Sequence, residues 1–99
     1  MLKDQTRMGT YFALVRKDPD SDYGVDFPDF PGCVTAGDTF EETCAMANEA
    51  LALHIEGMME DGDLIPVPSS LDEIMADPHN TGAIVIEIAM PIHFRQVTR

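Results

Sequence analysis

The stretch DTFEETCAMANEALALHIEGMMEDG, Asp38 to Gly62, decides the fold. Phe40, Cys44, Ala47, Leu51, Ile55 and Met58 recur at spacings of three and four, the period of a single buried helical face. Asp38 or Thr39 can cap the start, with Glu41 or Glu42 three residues on, so two capping boxes overlap. Glu41, Glu42, Glu49, Glu56 and Glu60 occupy the remaining faces, and Gly62 stands where a left-handed C-cap is wanted. At ~1.5 Å per residue such a helix is roughly 33 Å long, enough to span a small sheet.

Strands flank it on both sides. Upstream, Thr10 to Lys17 (TYFALVRK) is rich in β-branched and aromatic residues, and Tyr23 to Phe27 alternates with Tyr23, Val25 and Phe27 on one face. The turn-forming DPDSD between them makes the pair a hairpin. Pro28 to Gly32 (PDFPG) cannot continue a central strand, Cys33 to Ala36 forms a short third one, and Gly37-Asp38 turns the chain. Downstream, Leu64 to Pro68 is extended, and Ser70 with Glu73 opens a short helix through Ala76. Gly82 to Met90 forms the last strand, with Ile84, Ile86 and Ile88 on one face and Val85, Glu87 and Ala89 on the other. The order β-β-β-α-α-β predicts an α+β two-layer sandwich with sheet order 3-2-1-4 and the long helix on one face. If the last strand is parallel to the first, the crossover should be right-handed.

The 99 residues allow one domain, and 44% hydrophobic with 24% charged residues is a globular balance. Eighteen acids face six bases, for a formal net charge of −12. The bases lie at the ends: Lys3, Arg7, Arg16, Lys17, Arg95 and Arg99. Between Asp18 and Met90 there are 17 acids and no Lys or Arg, so most of these carboxylates must face water or a second molecule. Self-repulsion for solubility is one reading, and a surface complementary to a basic protein is the other. Direct nucleic-acid binding is disfavoured, because it begins with Lys and Arg neutralising phosphates. The longest stretch free of charged residues, Pro78 to Ile86, has nine residues, far short of the ~20 that a membrane helix needs. MLKDQTR lacks the apolar core of a signal peptide, and Cys33 and Cys44 form no CxxC, so reduced thiols in the cytoplasm are expected.

Few residues suggest chemistry. Asp26 and Glu87 project from the faces opposite the aliphatic rows of their strands, and carboxylates on adjacent strands can hold Mg²⁺ for phosphodiester hydrolysis. A repelled polyanion argues against that use, and two solvated carboxylates are the plainer reading. His54, His79 and His93 lack the spacing of metal ligands, and neither cysteine has a neighbouring base. No catalytic residue, metal or cofactor is expected.

The ordered series YGVDFPDFPGCVTAGDT (Tyr23 to Thr39), Glu41-Glu42, Glu49-Ala50-Leu51, Met59 to Gly62 and IPVPSS (Ile65 to Ser70) resembles the HicB antitoxins. The likeness covers roughly Thr10 to Met90 and implies a partial RNase-H-like fold without nuclease chemistry. It implies a partner too: a HicA toxin, a small basic RNA-cleaving protein that the antitoxin binds and occludes. Such proteins usually continue into a DNA-binding module. Residues 1–90 read as the antitoxin domain, and 91–99 as a short basic tail too small for that module. Thr43 departs from the alanine expected there, at a position read as exposed.

The likeness also directs attention to the PDFPG loop. Pro28 and Pro31 restrict it, which lowers the ordering cost of binding. Asp26 and Asp29 are candidate partner-binding carboxylates; Phe30 is either a core plug or a presented anchor, with the outer face of the long helix as the alternative anchor. Ile92, His93, Phe94 and Arg95 alternate apolar and polar residues at a sheet edge, so a homodimer using this segment is expected. The rival functions are a metal-dependent RNase-H-like hydrolase using Asp26 and Glu87, and a free-standing interaction domain.

Overall fold

A computed structural model describes the backbone of residues 2–97 and the side chains of residues 8–91. In chain order the elements are β1 (Leu2–Lys17), β2 (Tyr23–Asp26), β3 (Val34–Gly37), α1 (Phe40–Glu60), α2 (Leu71–Met75), a 3₁₀ turn (Pro78–Asn80) and β4 (Ile84–Val97). The sheet order is β3-β2-β1-β4, as the sequence predicts, and every neighbouring pair is antiparallel. The handedness rule for parallel crossovers therefore does not arise.

β1 and β4 are longer than their hydrophobic patterns indicate. Their ladder runs unbroken from Val15↔Ile84 to Leu2↔Val97, so residues 91–97 of the C-terminal tail continue the last strand beyond its hydrophobic row. β2 pairs only with Leu14 to Lys17, which leaves the rest of β1 and β4 as a two-stranded ribbon. Sixteen residues at ~3.3 Å each give roughly 53 Å. The ribbon thus sets the long dimension of the 54 × 26 × 19 Å molecule.

The core lies between the sheet and α1. Tyr11, Ala13 and Val15 of β1, Val25, Ile88 and Met90 meet Ala47, Leu51 and Ile55 of the helix, with Phe27, Phe30 and Cys33 closing one end. Thr39 caps α1, its side chain accepting from the Glu42 N–H. Gly62, at φ 76°, allows a Schellman ending in which its N–H donates to Met59 O and that of Asp63 to Met58 O. The buried stripe is Thr43, Ala47, Leu51 and Ile55. Phe40 is instead 39% exposed and lies edge-on to Tyr23, while Cys44 and Met58 are half-buried.

Thr43 corrects the expectation of exposure. It is fully buried, its hydroxyl donates to Thr39 O at 2.6 Å, and it packs against Gly37. The second face of the sheet is also covered. Arg16, of opposite parity to Tyr11, Ala13 and Val15, donates from Nη1 to His79 O and from Nη2 to Asn80 Oδ1. Asn80 in turn donates to Ile74 O, so the short-helix segment is bonded to that face, where Leu14 is fully buried. Ser70 and Glu73 form the predicted capping box of α2.

A Cβ at position 37 would lie 2.5 Å from Thr43 Oγ1 and 2.9 Å from the Thr43 Cα and N. Gly37→Ala should therefore cost about 1–3 kcal/mol, lowering the melting temperature by roughly 5–20 °C. Thr43→Ala should not rescue it, because the backbone clash persists. Calorimetry of the single and double variants checks this; full rescue would place the strain in the side chain alone.

Candidate protein-binding surface

The sequence-predicted residues are scattered by the fold into different roles. Phe30 is 1% exposed: its ring stands edge-on to Tyr11 at 4.8 Å and to His54 at 5.8 Å. It is the core plug of the two readings, and the loop presents Pro31 and Gly32 to solvent instead. Tight turns produce this placement, with the Phe30 N–H donating to Phe27 O and the Cys33 N–H to Phe30 O.

Asp29 turns the other way and ties the loop to the IPVPSS segment. It accepts from the Ser69 N–H at 2.8 Å and the Ser69 hydroxyl at 2.5 Å. Beside it the Tyr11 hydroxyl donates to Pro66 O at 2.6 Å, so the proline-rich connector is fastened at two points. Burial, and then the negative charge of Asp29, raise the Tyr11 phenol above its ordinary value of 10.0. Burial likewise raises the Cys33 thiol, which keeps it neutral and unreactive.

Asp26 accepts from Arg16 Nε at 2.8 Å, the one ion pair among the described residues. Arg16 thereby joins Asp26, the 3₁₀ turn and Asn80 in one network. Asp26 and Glu87 share a face but not a site, since Asp26 is level with Leu14 and Val85, with Glu87 two residues further along β4. Strand spacings of ~4.8 Å and ~3.3 Å per residue separate them by roughly 12 Å, too far to share a cation bound at about 2 Å. The metal-hydrolase constellation is not assembled. Among the described residues no group of three or more His, Cys, Asp or Glu is placed to hold a metal. No helix there is long and apolar enough to cross a membrane. Ile92, His93, Phe94 and Arg95 have their backbone on β4, but their side chains lie outside the described residues.

The surface features lie along α1, which has a groove on each flank. One, of about 440 Å³, runs between the helix and the PDFPG loop, over Pro31, Leu53 and Met58, with Asp29, Asp61 and Asp63 at its rim. Leu53 stands 61% exposed beside it. The other, of about 600 Å³, lies between the helix and β4. Sequence reasoning missed the first groove because its walls come from residues 29–31 and 53–63, which only the fold brings together.

A family model described as the HicB-like antitoxin of bacterial toxin–antitoxin systems matches residues 11–99. The chain belongs to that family. Antitoxin HicB 1 of Photorhabdus laumondii is 42% identical over 55 residues, covering 56% of this chain and 36% of that one, so this chain spans well under half of that relative. The crystal structure of the N-terminal domain of the Burkholderia pseudomallei antitoxin HicB superposes with a TM-score of 0.72 at 27% identity, covering 84% of this chain and 99% of that one. A chain in a HicA3 and HicB3 toxin–antitoxin complex does so with a TM-score of 0.66 at 32% identity, covering 80% of this chain and 94% of that one. The expected family and sheet order both hold for this HicB-like domain.

Phe30→Ala should destabilise the fold by about 3–5 kcal/mol, the cost of emptying an aromatic site in a core. Urea unfolding tests it; unchanged stability would return Phe30 to the surface. For Tyr11 the folded-state pKa is the higher, so its contribution is complete below about pH 10 and is lost as pH rises through the raised value. Tyr11→Phe should lose about 1 kcal/mol at neutral pH and show a shallower decline of the urea midpoint above pH 10 than the parent. Parallel declines would remove Tyr11 as the titrating group.

Proposed function

We propose that this domain neutralises a small, basic, RNA-cleaving toxin of HicA type in the cytoplasm, by binding it and covering the surface that RNA would use. It acts as a binding protein without chemistry of its own. The observation that carries the reading is the charge: 17 acids between Asp18 and Met90, of which only Asp26 reaches a cationic side chain among the described residues. A toxin that grips RNA needs the complementary surface. The similar chain found in a HicA3–HicB3 complex supports a partner of this kind.

Asp26 and Asp29 contribute to the field, but their internal bonds make them poor direct contacts. The groove beside Leu53 is the better contact surface. Asp61 and Asp63 stand at the C-terminal end of α1, where the helix dipole opposes negative charge, and its last turn carries no base. A cationic side chain seated against Pro31 and Leu53 would relieve that opposition, its aliphatic stem on the apolar floor and its charge at the rim.

Asp61→Asn with Asp63→Asn should leave the fold as stable or up to about 1 kcal/mol more stable, yet slow association with the toxin several-fold and flatten its salt dependence. Leu53→Ala should act on dissociation, costing about 1–2 kcal/mol of affinity. The first observation is whether an adjacent reading frame encodes a short basic protein; binding kinetics against that protein at low and high salt then measure the contact, with growth rescue as the cellular readout. If no adjacent basic protein binds, the antitoxin reading fails. If one binds with no response to these substitutions, the assignment of the groove fails.

A further inference from the structure

The groove of about 600 Å³ between α1 and β4 shares no lining residue with the one beside Leu53. Asn48, Ala52, Glu56 and Glu60 follow at intervals of four along the helix, one row over about three turns, or roughly 18 Å. Ala52 makes a notch in that row. Ile55 and Met90, both buried, form the floor, and Met59, 41% exposed, widens the apolar surface. The rim is acidic. Glu56 and Glu60 are one turn apart, where like charges oppose helix formation, and the last turn of α1 carries no base. No Lys or Arg is among the described lining residues, and the one ion pair among the described residues lies elsewhere.

The shape selects the class of occupant. All lining residues except Ile55 and Met90 are exposed, so a small molecule would keep much of its surface in water, whereas small-ligand sites bury most of theirs. β4 is an outer strand of the sheet, but Pro91 at the end of the groove has no N–H for an added strand. A helix meets neither obstacle. Rows of side chains four apart are the ridges and grooves into which a second helix packs, and a small residue such as Ala52 lets its backbone come close. Apolar side chains at spacings of three and four then reach Ile55, Met59 and Met90, and methionine adapts to their outline. Basic residues on either side of that apolar stripe meet Glu56 and Glu60.

We propose that this flank of α1 docks a cationic amphipathic helix of a second protein. The apolar stripe of that helix lies along the Ala52 notch and supplies the affinity. Its Lys or Arg side chains offset the repulsion between Glu56 and Glu60 and speed association at low salt. The site goes beyond the toxin reading and does not depend on it: the lining residues differ, and either assignment can fail alone.

The probe is a labelled synthetic helical peptide of about 18 residues, with Leu at spacings of three and four and Lys or Arg elsewhere. It is titrated with the full chain by fluorescence anisotropy at low and high salt. A scrambled peptide of the same composition, without the apolar stripe, is the control. The amphipathic peptide should bind at about 10 μM or tighter, and about tenfold better than the scrambled one. Ala52→Arg should weaken it about tenfold. Val34→Arg, the same charge change on an exposed residue at the opposite edge of the sheet, should have an effect of less than about twofold. Glu56→Gln with Glu60→Gln should weaken binding at low salt and reduce its salt dependence. Circular dichroism confirms the fold of each variant. Equal binding of the two peptides overturns the proposal, because charge alone then explains it. So does indifference to Ala52→Arg, or an equal loss in Val34→Arg. Sedimentation that shows self-association of the chain, lost in Ala52→Arg, gives the groove to a second copy and overturns it as well.

Discussion

The fold turns on the ring of Phe30. It stands edge-on to Tyr11 of the central strand and to His54 of the long helix, so one side chain from a loop locks both layers of the sandwich. The PDFPG loop has no regular ladder to hold it, and without the ring it would have only its local turns and the bonds of Asp29 to Ser69. With the ring buried, its neighbours follow. Asp29 points outward to Ser69, Tyr11 reaches Pro66, and the connector after α1 is drawn over the open end of the core. A ring so placed in a domain of this size contributes several kcal/mol, a large share of the roughly 5–15 kcal/mol by which such domains are stable.

Charge is the second constraint, and it pulls against the first. Like charges four residues apart, such as Glu56 and Glu60, each oppose helix formation by a few tenths of a kcal/mol. Acids at the C-terminal end of α1 add to this, whereas Glu41 and Glu42 at its start are favourable. The domain tolerates the imbalance because the penalties are exposed and screened within about 8 Å at physiological salt. It also uses its described cations economically. Arg16 satisfies Asp26 and two acceptors of the 3₁₀ turn, and Lys17 bonds backbone oxygens of the hairpin turn at Asp18 and Ser21. Among the described residues no further Lys or Arg is left to soften the acidic surface.

The sequence made the architecture legible where burial leaves a period. Tyr23, Val25 and Phe27, the capped helix with Ala47, Leu51 and Ile55, and the row ending at Ile88 and Met90 all have one wet side and one dry side. The length of the ribbon was legible on one strand only: Ile92 to Arg95 alternate as a strand does, whereas LKDQTRM carries no such period to mark its partner. Thr43 was misread because its burial depends on the missing side chain of Gly37, a contact across elements that no local pattern records. Phe30 was recognised as notable, but a ring between two prolines reads equally as plug or anchor until the turn closed by Cys33 is seen. Arg16 went unremarked because its acceptors lie more than 60 residues away along the chain.

The long helix then acquires a division of labour from its geometry. Its buried stripe repeats every four residues, Thr43, Ala47, Leu51 and Ile55, while an α-helix repeats every 3.6, so the stripe drifts around the axis and leaves unequal flanks. On one flank the PDFPG loop rises to form a wall; on the other the sheet ends at β4 and the ribbon departs. Each flank is an apolar floor edged by carboxylates, and neither has a Lys or Arg among its described lining residues. A single helix face, once packed, therefore presents two separate acidic grooves pointing away from each other. The two linings share no residue, so a partner seated beside Leu53 leaves the flank along β4 uncovered.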